Sequence, residues 1–271
     1  MTKKIHAYMP FLKCSMQQKM TYKLNFVLNL IGQIIRCLIA VFLWLAVFDN
    51  SLSSTLEGFT KGEMVIYIIM STVTSNMTAN STDTFIGYDV KDGRIGIDML
   101  KPINIRCMLF FESLADFFMN TMFIAFPLWL FLEIYSINKN GFEFSVINCL
   151  LFILSVFLGF IILFLFNFCF GILAFVVTNM WGMTNLKKSV VEFLSGAIIP
   201  IVFFPKIIQH ILFIFPFVSI NYIPVMICMG KISFDDMIKQ FVIQFLWIII
   251  LERLGHMLWS QAIKSFTMQG G

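Results

Sequence analysis

Apolar and polar positions along this chain fall into long blocks rather than short alternations. Apolar runs of membrane-crossing length cover about Leu24–Phe48, Met64–Phe85, Cys107–Glu133, Val146–Val177 and Met237–Leu258. Another opens near Ser189 and runs into Pro200 and Pro205. Blocks this long predict helices whose solvent is a bilayer, whereas barrel strands would alternate over about 10 residues. The run from Val146 corresponds to about 48 Å of helix against a hydrocarbon core of about 30 Å. That helix must tilt, kink near Gly171 or project from the membrane. From Lys206 to Gly230 the chain stays apolar but is broken by Gln209, His210, Pro216, Asn221 and Pro224. Broken backbone at membrane depth needs protein or water around it, so residues 206–230 read as re-entrant or extracellular half-helices. The expected fold class is therefore all-α and polytopic, with six transmembrane helices in a single domain over residues 1–271.

Composition supports the bilayer reading: 59 % of residues are hydrophobic, 13 % are charged, and the mean hydropathy is +0.88. Soluble domains carry about 25 % charged residues. The basic start, MTKKIHAYMPFLK, lacks the short apolar core and small-residue site of a cleaved signal peptide. Residues 1–23 are expected to form an interfacial helix. The six cysteines form no CxxC pair and no metal-spaced cluster with histidine, which points to buried thiols. The net charge of +4 needs no nucleic-acid partner. With six spans, most lysines and arginines gather on the side of the termini and the 86–106 and 179–188 loops. The positive-inside rule places that side, and both termini, in the cytoplasm. Counting 206–230 as a seventh span leaves the balance of charge unchanged, so the rule alone does not fix the number.

Polar residues inside the apolar blocks are the candidates for chemistry. Asn25, Asn29, Gln33 and Arg36 are spaced four, four and three, one stripe of a helix. An arginine at bilayer depth costs about 2.5–3.5 kcal/mol on insertion scales and faces protein or water. The stripe is read either as a wall of a transport path or as a helix–helix seam. The second span is rich in hydroxyls and amides; Ser75 among them suits packing or path lining. Glu112 and Asp116, one turn apart, suit pairing with Arg106 or Arg36, or a proton relay. His6, His210 and His256 are too isolated to be ligands, and no hydrolase-like triad is visible.

The most polar internal stretch is DGRIGIDMLKPINIR, Asp92 to Arg106. Ile97, Leu100 and Ile103 recur every three residues, with Gly93 and Gly96 ahead of them, which predicts a short amphipathic helix. Its apolar face could dock in a partner's groove or lie in the headgroups with its basic residues on phosphates.

DGRIGIDMLKPINIR resembles the loop after the second span of type-2 ABC exporter permeases, in particular a six-span subfamily often encoded as two permeases beside one ATPase. The start leading to MTYKLNF resembles that family's interfacial helix. LSGAIIPIVFFPKIIQHILFIFPFVSINYIP, Leu194 to Pro224, is similar to its fifth span and extracellular half-helices. The resemblance implies a cytoplasmic coupling helix, here about Val90 to Pro102, that fits a cleft of a nucleotide-binding subunit. Arg94, Asp98 and Lys101 would make its polar contacts, Ile97 and Leu100 would be its apolar anchors, and Pro102 would close it.

The sequence holds no G-x-x-x-x-G-K-[ST] loop; GFTKGE, Gly58 to Glu63, lacks the spacing. The resemblance thus implies a non-catalytic permease of the bacterial cytoplasmic membrane, with ATP and magnesium on two copies of a separate ATPase. A second permease, identical or related, would complete the path, in contact with membrane lipid. The exported substrate would be amphipathic or hydrophobic: a peptide, drug, antibiotic or lipid-linked molecule. Two rival readings are a proton-coupled secondary transporter using Glu112, Asp116 or Arg36, and a non-transporting scaffold or immunity protein. The first usually has paired broken helices in two halves, and only one broken region is visible here.

Overall fold

The computed structural model describes residues 6–265 apart from 22, 131, 133–144 and 178. It is all-α but for one small hairpin. Helix α1 (Met9–Thr21) lies against α6 and leads into α2 (Lys23–Asp49). Strands β1 (Thr55–Leu56) and β2 (Phe59–Thr60) pair antiparallel around Glu57 and Gly58, both at positive φ. That is the turn whose twist suits a two-residue hairpin. The stretch GFTKGE therefore serves as a turn, a strand and a helix start. Thr60 and Glu63 form a capping box that opens α3 (Lys61–Thr78).

Helix α3 ends at Thr78, and α4 (Thr82–Lys91) begins after a three-residue break, Ala79–Ser81. The second run was expected to be one span, although the sequence turns polar here, Ser75 to Thr84 reading SNMTANSTDT. Other helices fill the backbone positions the break leaves open. Asn120 Nδ2 donates to the Asn76 carbonyl at 3.0 Å, and Asn167 Nδ2 donates to the Asn80 carbonyl at 3.3 Å. This is the protein environment that interrupted backbone requires away from water.

After α4, Gly93 at φ +72 turns the chain into α5 (Arg94–Leu100). Helix α6 (Ile105–Asn120) continues through one π-helical turn, Thr121–Ala125. The long run from Val146 changes its helical geometry near its end. It is α-helical as α7 (Val146–Gly171) and then tightens to a 3₁₀ turn, Ile172–Phe175.

Helix α8 (Trp181–Leu194) begins eight residues before the expected start of the fifth span and stops well short of its prolines. Its polar residues Asn185, Lys187 and Lys188 belong to the helix rather than to a preceding loop. Two short helices follow, α9 (Lys206–Ile214) and α10 (Tyr222–Cys228), and then α11 (Phe234–Ser265).

Among the described residues, four helices are long and apolar enough to cross a membrane: Val27–Asp49, Ile105–Leu130, Val146–Phe175 and Phe234–Lys264. The chain is a multi-pass membrane protein. Helix α7 is central, packed against α4, α10 and α11, and its Phe160 and Ile162 are fully buried. Helix α2 stands at the edge, with Leu24, Ile39 and Phe42 exposed.

Candidate functional site

Two places combine chemistry with access: the elbow from α4 to α5 and a polar cavity beside the α3–α4 break.

The elbow brings together Arg94, Ile97, Asp98, Leu100, Lys101 and Pro102. Ile95 is buried and seats α5 on the body of the protein, while Ile97 and Leu100 are 63 % and 81 % exposed. Large apolar side chains presented this way on a seven-residue helix are a docking surface in form. Lys101 Nζ donates to Asp98 Oδ1 at 2.6 Å, and Arg94 lies 3.4 Å from Asp92. The hydrogen bond from Lys101 to Asp98 raises the lysine's pKa. Asp89, facing the elbow from α4, is pushed above the ordinary aspartate value by burial and then by the charge of Asp98. Charge is therefore packed densely behind an apolar tip. Tyr8 ties the N-terminal helix to this region: its hydroxyl accepts from the Asn104 backbone N–H at 2.9 Å, and its ring stacks on Phe111.

The cavity, about 380 Å³, lies between the α3–α4 break, α6, α7 and α8. Its wall is polar except for Ala79, Leu163, Val191 and Ile220. On one side Lys187 Nζ donates to Asp83 Oδ2 at 2.7 Å and to Asn167 Oδ1 at 2.6 Å. The Lys187 and Asp83 side chains are only 10 % and 4 % exposed. Asn167 reaches on to Asn80 Oδ1 at 2.9 Å, so a polar chain links α8, α4, α7 and the break. Across the cavity Lys19 pairs with Asp116 at 2.5 Å.

The inner end is closed by the segment between α9 and α10. Asn221 Nδ2 donates to the Ser71 carbonyl and to Ser75 Oγ, and Ser71 Oγ donates to Asn221 Oδ1 at 2.9 Å. Gln244 of α11 donates to the Ser219 carbonyl at 2.9 Å and to Ser155 Oγ at 3.1 Å.

Of the polar residues singled out in the sequence, Ser75 and Asp116 line this cavity. Glu112 is half-buried one turn from Asp116 but lies outside the wall. Asn29 and Arg36 are exposed on α2 and Gln33 is half-buried there, all apart from the cavity. The expected partners of Asp116 are replaced: Lys19 takes it, while Arg106 pairs with Glu252 at 2.8 Å. Sequence reasoning passed over Asp83, Lys187 and Asn167. The available signal was an acid inside an apolar run, which by default marks an interior polar site with a partner. Its partner lies 104 positions away in the chain, where no periodicity connects them.

On the opposite face Lys231 bonds Glu63 at 2.8 Å and the Gly58 carbonyl at 2.8 Å, with its ammonium 4.5 Å from the Phe59 ring centroid. Burial pushes the Glu63 carboxyl up, but hydrogen bonds from Lys231 and Thr60 outweigh it and hold the pKa below its ordinary value.

A family model described as ABC-2 family transporter protein matches residues 34–270. No curated protein matches the chain.

Proposed function

Since the chain belongs to the ABC-2 transporter family, we propose that it is the permease subunit of an ATP-driven exporter. A separate ATPase, in two copies, hydrolyses ATP; this chain and a second permease form the path. The observation that carries this reading is the elbow: Ile97 and Leu100 stand out from a short helix fixed by buried Ile95. An apolar tip backed by Arg94, Asp98 and Lys101 suits a cleft in a soluble partner. Six spans follow if the interrupted helix α3–α4 and the α8 segment each count as one, with 206–230 entering and leaving on the outer side. The termini and the elbow then face the cytoplasm of a bacterial cell. The polar cavity is a part of the path reached from that side, suited to the hydrophilic part of an amphipathic cargo.

The test is co-purification of the tagged chain from its native membrane. The expected result is an ATPase subunit bound to the parent chain. Paired I97S and L100S substitutions should reduce its recovery about tenfold or more, because two exposed anchors of a docking helix carry much of the binding energy. Thermal stability of the permease should stay unchanged, since neither side chain is buried. Equal recovery with the substituted chain, or no ATPase with the parent, would overturn the reading.

A further inference from the structure

The interrupted helix α3–α4 grips α8 twice, once on each side of its break. From α3, Tyr67 Oη donates to the Gly196 carbonyl at 2.6 Å, and Ser71 Oγ, sharing its one hydrogen with Asn221 Oδ1, lies 3.0 Å from the Ala197 carbonyl. These acceptors lie just beyond the end of α8, where Gly196 adopts φ +80. From α4, Asp83 holds Lys187 in the middle of α8. Between the grips the two elements part, and the cavity occupies the gap, bordered by Ala79–Ser81 on one side and Val191–Ser195 on the other.

The grips differ in kind. The outer one joins side chains of α3 to backbone just past the end of α8, where the chain turns at Gly196, which suits a pivot for α8. The inner one joins side chains of two rigid helices and is, among the described residues, the only ion pair between α4 and α8. Parting it would leave two charges poorly solvated, and removing one partner strands the other. The pair therefore holds the helices at fixed separation, and a shift of α4 carries α8 with it. Asp83 sits on the same ten-residue helix that turns at Gly93 into α5. Gly171 of α7 presses against that helix at Asp83 and Ile86, so α4 has no room to approach α7 there.

We propose that Asp83 and Lys187 are positioning residues that transmit movement of the α4–α5 elbow to α8, reshaping the polar cavity by flexure at Ala79–Ser81 and Ser195–Ala197. This rests on the exporter reading above.

The test uses the whole complex, permease with its co-purified ATPase, in lipid nanodiscs. Hydrogen–deuterium exchange of the α8 C-terminal amides, residues 190–197, is followed with and without ATP and vanadate. In the parent complex, nucleotide should change their exchange rate about tenfold, the usual scale of a coupling between distant sites. D83N and K187M should hold that change below about twofold while the ATPase remains bound, and K187R should retain it. In a background lacking the exposed Cys14 and Cys107, a D83C/K187C pair should lose the response when reduced and regain it when bridged by a short bifunctional thiosulfonate. A mere structural role would not be restored by a covalent link.

If D83N and K187M respond as the parent does, the transmission role is wrong and the exporter reading stands. If those variants fail to fold, the cysteine pair decides: a full response while reduced, or none once bridged, overturns the proposal. If the parent complex shows no nucleotide response in these amides, the inference fails and the exporter reading stands on the bound ATPase; if no ATPase co-purifies, both fail.

Discussion

Two glycines of α7 mark close approaches between elements of the bundle. A Cβ on Gly159 would lie 3.2 Å from the Cα and carbonyl oxygen of Ile220 and from the Ser219 carbonyl oxygen. One on Gly171 would meet Ile86 Cδ1 at 2.9 Å and Asp83 Cα at 3.0 Å. Glycine inside a helix costs about 1 kcal/mol against alanine, so these positions are held by packing rather than propensity. Gly159→Ala should destabilise the protein by about 1–3 kcal/mol, the scale of overpacking a closed site. Gly62→Ala on α3 meets nothing within 4 Å and should be neutral or stabilising by up to about 1 kcal/mol. Thermal unfolding in detergent reads both, and equal effects would refute the packing account. Such pairs of surfaces were not legible in the sequence: Gly159 stands in an apolar run like any other small residue until the segment 219–220 folds back on it.

At the scale of elements, local signals were read well and distant ones were not. The helix Arg94–Leu100 follows from its three-residue apolar period and from Gly93, whose left-handed turn starts it. The long run from Val146, expected to tilt, kink near Gly171 or project, changes to 3₁₀ geometry just after Gly171. The break at Ala79–Ser81 lies in a polar stretch, Ser75 to Thr84, that was read as part of one span; Asn120 and Asn167, which satisfy its carbonyls, come from other helices. Helix α8 was placed too late because Asn185, Lys187 and Lys188 look like loop residues until Asp83 and the cavity receive them.

The β1–β2 hairpin supplies a pH test of one element. The Glu63 pKa is depressed in the folded protein, so its ionised form favours folding. That contribution is complete above the ordinary glutamate range and is lost as pH falls through the lower, folded value. Glu63 and Lys231 are each partly exposed, so about 1 kcal/mol is the appropriate scale. Acidification through this range should lower the melting temperature of the parent. The E63Q variant should begin lower and lack that part of the slope; an identical slope in both would show that Glu63 does not fasten the hairpin.

For the whole molecule, the four helices that pass as membrane spans by length and apolarity differ from the six expected for a specific reason. In the proposed six-span topology the other two crossings are assembled from pieces, α3 with α4 and α8 with the segment after it, and Ser75, Asp83 and Lys187 of these pieces line the cavity. The proposed topology puts Ser54 outside and Lys91 inside, both on exposed positions. In a background without Cys14 and Cys107, Ser54→Cys should react with a membrane-impermeant maleimide on intact cells. Lys91→Cys should react only after the cells are opened. The reverse pattern would invert the orientation, and labelling of both on intact cells would remove Lys91 from the cytoplasm.

The segment between α9 and α10 ends blind. Ser219, Ile220 and Asn221 are buried against α3, α7 and α11, and Ile220 and Asn221 form part of the cavity wall. In the proposed orientation, water rising from the cytoplasm stops at side chains pinned by two carboxamides, Asn221 and Gln244. On the proposed reading, those two amides are what shut the cavity at this end.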